Sequence, residues 1–190
     1  MTEPTSPFHH YDALVRKVEA HAARTTAEHA DQMFCKRGCT ACCRQDLNVS
    51  RVEADHISKW LETRGSPLPA ADDARTRVDA HPLFERLAGD RGCAFLSEGA
   101  CSIYEVRPVI CRTHGLPIRT DRVEVDVCPL NFDPAIGSAA DVPDVHVLDL
   151  ERLNLVLAAV DHAYVTQTGA SPSRQALSQI RRERSVPKSR

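Results

Sequence analysis

Apolar positions between Phe8 and Met33 recur at three- and four-residue steps, as Tyr11, Leu14, Val15, Val18 and Ala22, and predict one long amphipathic helix. Pro7 stands where a first helical turn tolerates it. Ser50 and Glu53 have the spacing of a capping box, so a second helix is expected from Arg51, with Ala54, Ile57, Trp60 and Leu61 inward and Gly65 as its stop. After the Ser66-Pro67-Leu68-Pro69 loop, a third helix is expected from about Asp72. It carries Val78, is disturbed at Pro82, and continues through Leu83, Phe84 and Leu87 to Gly89.

From Asp90 to Asn131 helical periodicity fails. Leu116 to Ile118, then Val123, Val125 and Val127 alternating with Glu124 and Asp126, give a period of two and predict a small hairpin turning near Thr120-Asp121. Residues 132–143 are rich in Ala, Pro, Asp and Gly and read as a loop. The strongest helix of the carboxyl half is expected from about Val147 to Thr168, burying Leu153, Val156, Leu157, Val160 and Tyr164 ahead of Gly169. Ser171 and Pro172 open a last short helix with Leu177 and Ile180, and Arg181 to Arg190 is expected to fray. The expected fold is mainly α, a single domain over 1–190 in which helices frame an irregular cysteine-rich metal-binding lobe with a small β-hairpin. Within it, 33–130 is the cysteine-cluster core and 147–184 the carboxyl-terminal helices.

Composition narrows the function classes. An apolar fraction of 42% and a charged fraction of 26% are those of an ordinary globular protein. A net charge of -2 and an aromatic content of 5% argue against nucleic acid and anionic membranes as partners. No segment has the roughly 18 consecutive apolar residues of a bilayer span. The amino terminus shows neither a basic nor an apolar signal region, so a cytoplasmic location is expected.

Chemistry concentrates in the cysteines. Cys35, Cys39, Cys42 and Cys43 fall within nine residues, and Cys93, Cys101, Cys111 and Cys128 follow. In a reducing compartment eight thiols read as metal ligands before disulfides. Close pairs such as Cys39 and Cys42 reach one ion with little loop entropy to lose. Vicinal Cys42 and Cys43 point different ways, so either Cys43 fills apolar space or the chain holds more than one ion or a polynuclear cluster. Thiolates suit zinc and iron alike, and all eight cysteines are candidate ligands. The lobe has too little apolar content to fold by burial alone, so a metal would supply its cross-links.

Several neighbours could tune such a site. His114, three residues past Cys111, is a candidate replacement ligand or a surface histidine. Arg44, Arg107 and Arg112 sit next to cysteines, where they would offset thiolate charge, or pair with Glu105 or Glu98. Tyr104 is expected to pack behind the lobe and Glu105 to order an arginine. His9, His10, His21 and His29, on or near the first helix, read as solvated. No Gly-x-Gly-x-x-Gly, P-loop or Gly-x-Ser-x-Gly is present, so nucleotide and hydrolase readings lack support.

The run Cys35 to Cys43, then Val49-Ser50-Arg51-Val52-Glu53, Cys93-Ala94-Phe95-Leu96 and Cys101-Ser102-Ile103-Tyr104-Glu105-Val106-Arg107-Pro108-Val109-Ile110-Cys111-Arg112 resembles the YkgJ-like cysteine-cluster proteins. The resemblance covers about 33–130 and implies zinc or iron chelation through the cysteines, with no settled reaction. A similar module in flagellin lysine methylases is associated with an iron–sulfur cluster. The chain departs from the family by placing three residues, not two, between Cys35 and Cys39. The resulting Cys35-x3-Cys39-x2-Cys42 is also the spacing of radical S-adenosylmethionine enzymes, but a long helix precedes it and no βα alternation follows. Three readings stay open: a metal-binding module presenting a surface to a protein partner, an iron–sulfur-dependent redox or methyl-transfer enzyme or accessory protein, and a metal-free disulfide-stabilised protein.

Overall fold

Helices carry the described chain, as the hydropathy pattern predicts, and its strands are only two residues long. The computed structural model describes residues 6–64, 67–72, 92–120, 124–132 and 139–185. In chain order the elements are α1 (His9–Glu28), β1 (Asn48–Val49), α2 (Arg51–Thr63), β2 (Leu96–Ser97), β3 (Ala100–Cys101) and α3 (Val109–Thr113). They continue as β4 (Ile118–Arg119), β5 (Leu148–Asp149), α4 (Leu150–Thr168), β6 (Gln175–Ala176) and α5 (Leu177–Ser185). Short 3-10 turns lie at Tyr104–Val106, Ala139–Asp141 and Asp144–His146. The helix expected through Val78 and Phe84 lies outside the described residues. No described helix is long and apolar enough to cross a membrane.

The chain forms two units, one of Met1–Lys36 with Pro108–Ala170, the other of Arg37–Arg107 with Ser171–Arg190. Two of the three chain boundaries between them, after Lys36 and after Arg107, fall inside the 33–130 stretch, and the third follows Ala170.

In the first unit, Tyr11, Leu14 and Val18 bury one stripe of α1. The helix ends at Glu28 rather than Met33, because Met33 leaves it to join Leu116, Phe132 and Val142 in a separate apolar cluster. The predicted hairpin is present as reciprocal bonds between Ile118 and Asp126, each N–H donating to the other's carbonyl at 2.8 Å. Its turn at 121–123 lies outside the described residues. Ile118 and Arg119 also pair in parallel with Leu148 and Asp149, a connection too short to leave a periodic signal. The Asp149 side chain then accepts from the Arg152 N–H at 2.8 Å and sets the start of α4. Along α4 only Leu153 and Tyr164 are buried, Leu157 and Val160 are half-buried, and Val156 is exposed. Apolar residues surround this helix, so its sequence does not single out the inward face.

In the second unit the Ser50–Glu53 capping box starts α2, with the Ser50 N–H 2.9 Å from Glu53 Oε2. Ala54 and Ile57 are buried with Val49, Phe95, Ile103, Val106, Leu177 and Ile180, and Trp60 and Leu61 pack on them. Each large side chain removed from water here contributes about 1.5–3 kcal/mol. β1 and β6 pair antiparallel, bringing the carboxyl-terminal segment onto this core. The expectation that the chain frays from Arg181 is corrected: α5 continues through Ser185, and Arg181 donates to the Ala94 carbonyl at 2.6 Å and to the Pro69 carbonyl. A second hairpin, not expected from the sequence, joins β2 to β3. Its turn residues Glu98 and Gly99 both have positive φ, and their N–H groups donate to the Asp72 carboxylate at 2.6 and 2.9 Å. It sets Cys101 opposite Leu96.

Candidate metal centre

Three thiols from distant parts of the sequence lie within electrostatic reach of one another in the second unit. The loop after Gly38 turns through bonds from the Cys43 N–H to the Thr40 carbonyl at 3.0 Å and from the Arg44 N–H to the Cys42 carbonyl at 2.8 Å. The Cys43 carbonyl in turn accepts from the Cys93 N–H at 3.2 Å. The β2–β3 hairpin brings Cys101 to the same place, and Cys43 acts electrostatically on both Cys93 and Cys101. Burial pushes the Cys93 thiol up to about 12, and burial also raises Cys101. Cys39 and Cys42 are half-buried in the same loop.

Positive groups border these thiols, though not the full set expected. Arg107 acts on Cys101 and favours its thiolate. Arg181, which no local signal picks out, faces Cys93 while holding the Ala94 and Pro69 carbonyls. Arg44 instead donates to the Ala41 carbonyl at 3.2 Å. Glu105 pairs with Arg37 at 2.9 Å. Tyr104 is half-buried, with the Arg107 guanidinium 4.0 Å and that of Arg37 4.8 Å from its ring centre. Arg37 thus ties the first cysteine loop to the Tyr104–Arg107 segment, a long-range link that spacing could not reveal.

The first unit holds Cys35, Cys111 and Cys128. A hydrogen bond from Cys35, then one from the Leu130 main chain and last the charge of exposed His114, pull the buried Cys128 thiol down to about 6 against its desolvation. Cys35 is fixed by two residues outside the expected ligand set, Asn131 and Gly115. Asn131, fully buried, accepts from the Phe34 and Cys35 N–H groups at 2.8 and 3.2 Å and donates to the Gly115 carbonyl at 2.7 Å. Gly115, at φ 96°, leaves the space Cys35 fills, since a Cβ there would lie 2.7 Å from Cys35 Sγ. A glycine just past a short helix was the one available signal. Arg112 is buried and paired with Glu19 of α1.

No disulfide joins any of the eight cysteines. Among the described residues no three His, Cys, Asp or Glu side chains stand at coordinating distances from one point. Thiols that keep their protons have no reason to close up, and Cys93 keeps its own at neutral pH. The donors nevertheless fit zinc or iron: soft sulfur ligands, partly withdrawn from water, bordered by fixed positive charge.

No curated protein and no solved structure matches the chain. A family model described as "CxxCxxCC: Putative zinc- or iron-chelating domain" matches residues 34–129, half of the chain and all eight cysteines. By that match, and by the thiols gathered within it, the chain belongs to the CxxCxxCC family of zinc- or iron-chelating domains.

Proposed function

We propose that the chain holds zinc or iron through two thiol groups, one built on Cys43, Cys93 and Cys101 and the other on Cys35 and Cys128, with Cys39, Cys42 and Cys111 filling further positions. The observation that carries this reading is the approach of Cys43, Cys93 and Cys101, joined by the bond from the Cys93 N–H to the Cys43 carbonyl. Drawing three partly buried thiols into electrostatic reach of one another with no disulfide has a purpose if a cation takes their protons' place. A metal bound there cross-links the loop of 37–43 to the β2–β3 hairpin, and this supports a structural role.

The test is purification of the full chain without oxygen, followed by zinc, iron and sulfide analysis and an absorption spectrum. The expected result is tightly held zinc or iron that is lost when Cys43, Cys93 or Cys101 is replaced by Ser. A fully reduced chain that takes up neither metal would overturn the reading. Iron with sulfide would assign a cluster and support the redox or methyl-transfer alternative, whereas colourless zinc supports the structural one.

A further inference from the structure

A polar stripe on the first unit lies outside the cysteine groups and outside residues 34–129. His21, Thr25 and His29 follow one another at four-residue steps along α1 and its end, and Gln32 continues them one turn on. The 3-10 turn Asp144–His146 packs against this helix. Thr25 donates its hydroxyl to the His146 carbonyl at 3.4 Å, and the His21 imidazole meets the same backbone. His29 Nε2 stands 3.0 Å from His146 Nδ1, with the rings edge to face and their centres 5.0 Å apart. The Phe132 ring packs on His29 at 5.4 Å. The expectation of solvated histidines is thus corrected for His21 and His29, because a turn distant in sequence covers them.

Two buried polar atoms of this stripe, His21 Nε2 and Gln32 Oε1, have no hydrogen-bond partner. Buried acceptors without partners are rare, and each calls for a water, an ion or a strain account. A hydrogen bond between two neutral imidazoles uses one proton and one lone pair, whereas a cation between them uses both lone pairs. With metal–nitrogen bonds of about 2.0–2.1 Å, two imidazoles on one tetrahedral ion stand roughly 3.4 Å apart. The observed 3.0 Å needs to open by only a few tenths of an ångström.

We propose that His29 Nε2 and His146 Nδ1 form a thiol-free site for a borderline divalent ion, zinc or a neighbouring first-row metal, of the kind imidazole suits. Gln32 Oε1, buried and without a partner, is the oxygen donor the stripe leaves unused, and water completes the coordination. Burial first, and then the Arg24 charge, lower the His21 imidazole, and its ring is engaged with the His146 main chain. Two imidazoles without a carboxylate bind less tightly than thiolates, so this site fills after the cysteines.

The test is a zinc titration of the full chain, its thiols saturated first, followed through imidazole nitrogen resonances. His29 and His146 are expected to shift together and saturate, while exposed His162 does not move. His29→Ala is expected to stop the His146 response, and His146→Gln, on a short surface turn, to stop that of His29. All histidines shifting alike, no saturable shift, or an unchanged His146 response in His29→Ala would each overturn the proposal. In the second case water is the occupant of the orphaned atoms.

Discussion

The Cys93 N–H donates to the Cys43 carbonyl at 3.2 Å, so these two thiol-bearing residues are joined through their main chains. Because the join does not use sulfur, a ligand can be removed without releasing the segment. Cys93→Ser keeps the backbone bond and the volume but offers a hydroxyl that stays protonated. Loss of a residue that merely orients a ligand costs 10–100-fold in metal affinity, so loss of the ligand is expected to cost more than about a hundredfold. Competition with a coloured chelator measures this, and an unchanged affinity removes Cys93 from the ligand set.

Arg181 offers a milder perturbation of the same group. Its guanidinium faces Cys93 and ties down the Ala94 and Pro69 carbonyls. In Arg181→Ala the thiolates lose a neighbouring positive charge and two anchors, and affinity is expected to fall about tenfold, at the low end for an outer-shell partner. Arg181→Lys keeps the charge but not the two-carbonyl fork, and is expected to fall between the two.

Proton release gives an independent reading. Cys93 is pushed up to about 12 and Cys101 is raised, both first by burial, so both carry protons at pH 7. A metal that binds them must displace those protons, so affinity rises with pH and falls on acidification. Calorimetry in two buffers of different ionisation enthalpy is expected to show at least about two protons released per ion at neutral pH. Release near zero would exclude these thiols. For the metal-free chain the two shifts act oppositely. Raised Cys93 contributes stability that is complete below about 9 and lost as pH rises towards 12. Lowered Cys128 contributes stability present above about 9 and lost as pH falls through 6. A melting series over pH is therefore expected to peak between these limits.

Asn131 closes the first unit around Cys35 with three hydrogen bonds from one buried amide. Asn131→Ala leaves two N–H groups and one carbonyl without their partner, a cost of about 2–4 kcal/mol at the usual value of lost buried hydrogen bonds. For a chain of this size that lowers Tm by roughly 5–15 °C. Asn131→Asp keeps the acceptor and loses the donor, so a smaller drop is expected, and equal drops would mean that the Gly115 carbonyl carries the effect.

What was legible in the sequence was local. The Ser50–Glu53 box, the α1 stripe and the alternation around Ile118 each rest on contacts a few residues apart, and each stands in the structure. The family-wide cysteine pattern was legible too, because soft ligands have few other uses in such density. The partners of the charged groups were not. Arg112 finds Glu19, Arg37 finds Glu105, and Arg181 finds Ala94, all across long stretches of chain that no periodicity encodes. Two-residue strands are equally silent, since a period of two needs more than one repeat to be seen. His146 shows the same limit: its covering of α1 depends on a turn distant in sequence.

Gly115 is where backbone geometry and the candidate ligand Cys35 can be separated experimentally. Its φ of 96° is strained for any residue with a Cβ, and the added atom would stand 2.7 Å from Cys35 Sγ. Gly115→Ala is therefore expected to lose about 1–2 kcal/mol from the left-handed backbone alone, plus whatever displacing Cys35 costs. Pairing it with Cys35→Ala divides the two terms, because the smaller side chain removes the sulfur clash and leaves the strain. If Cys35 is a ligand, Gly115→Ala lowers metal affinity and Cys35→Ala lowers it further, with the double variant no worse than Cys35→Ala. If Cys35 only fills space, metal affinity is unchanged in all three, and the double variant melts above Gly115→Ala. Chelator competition and thermal melting on the same four proteins decide between them.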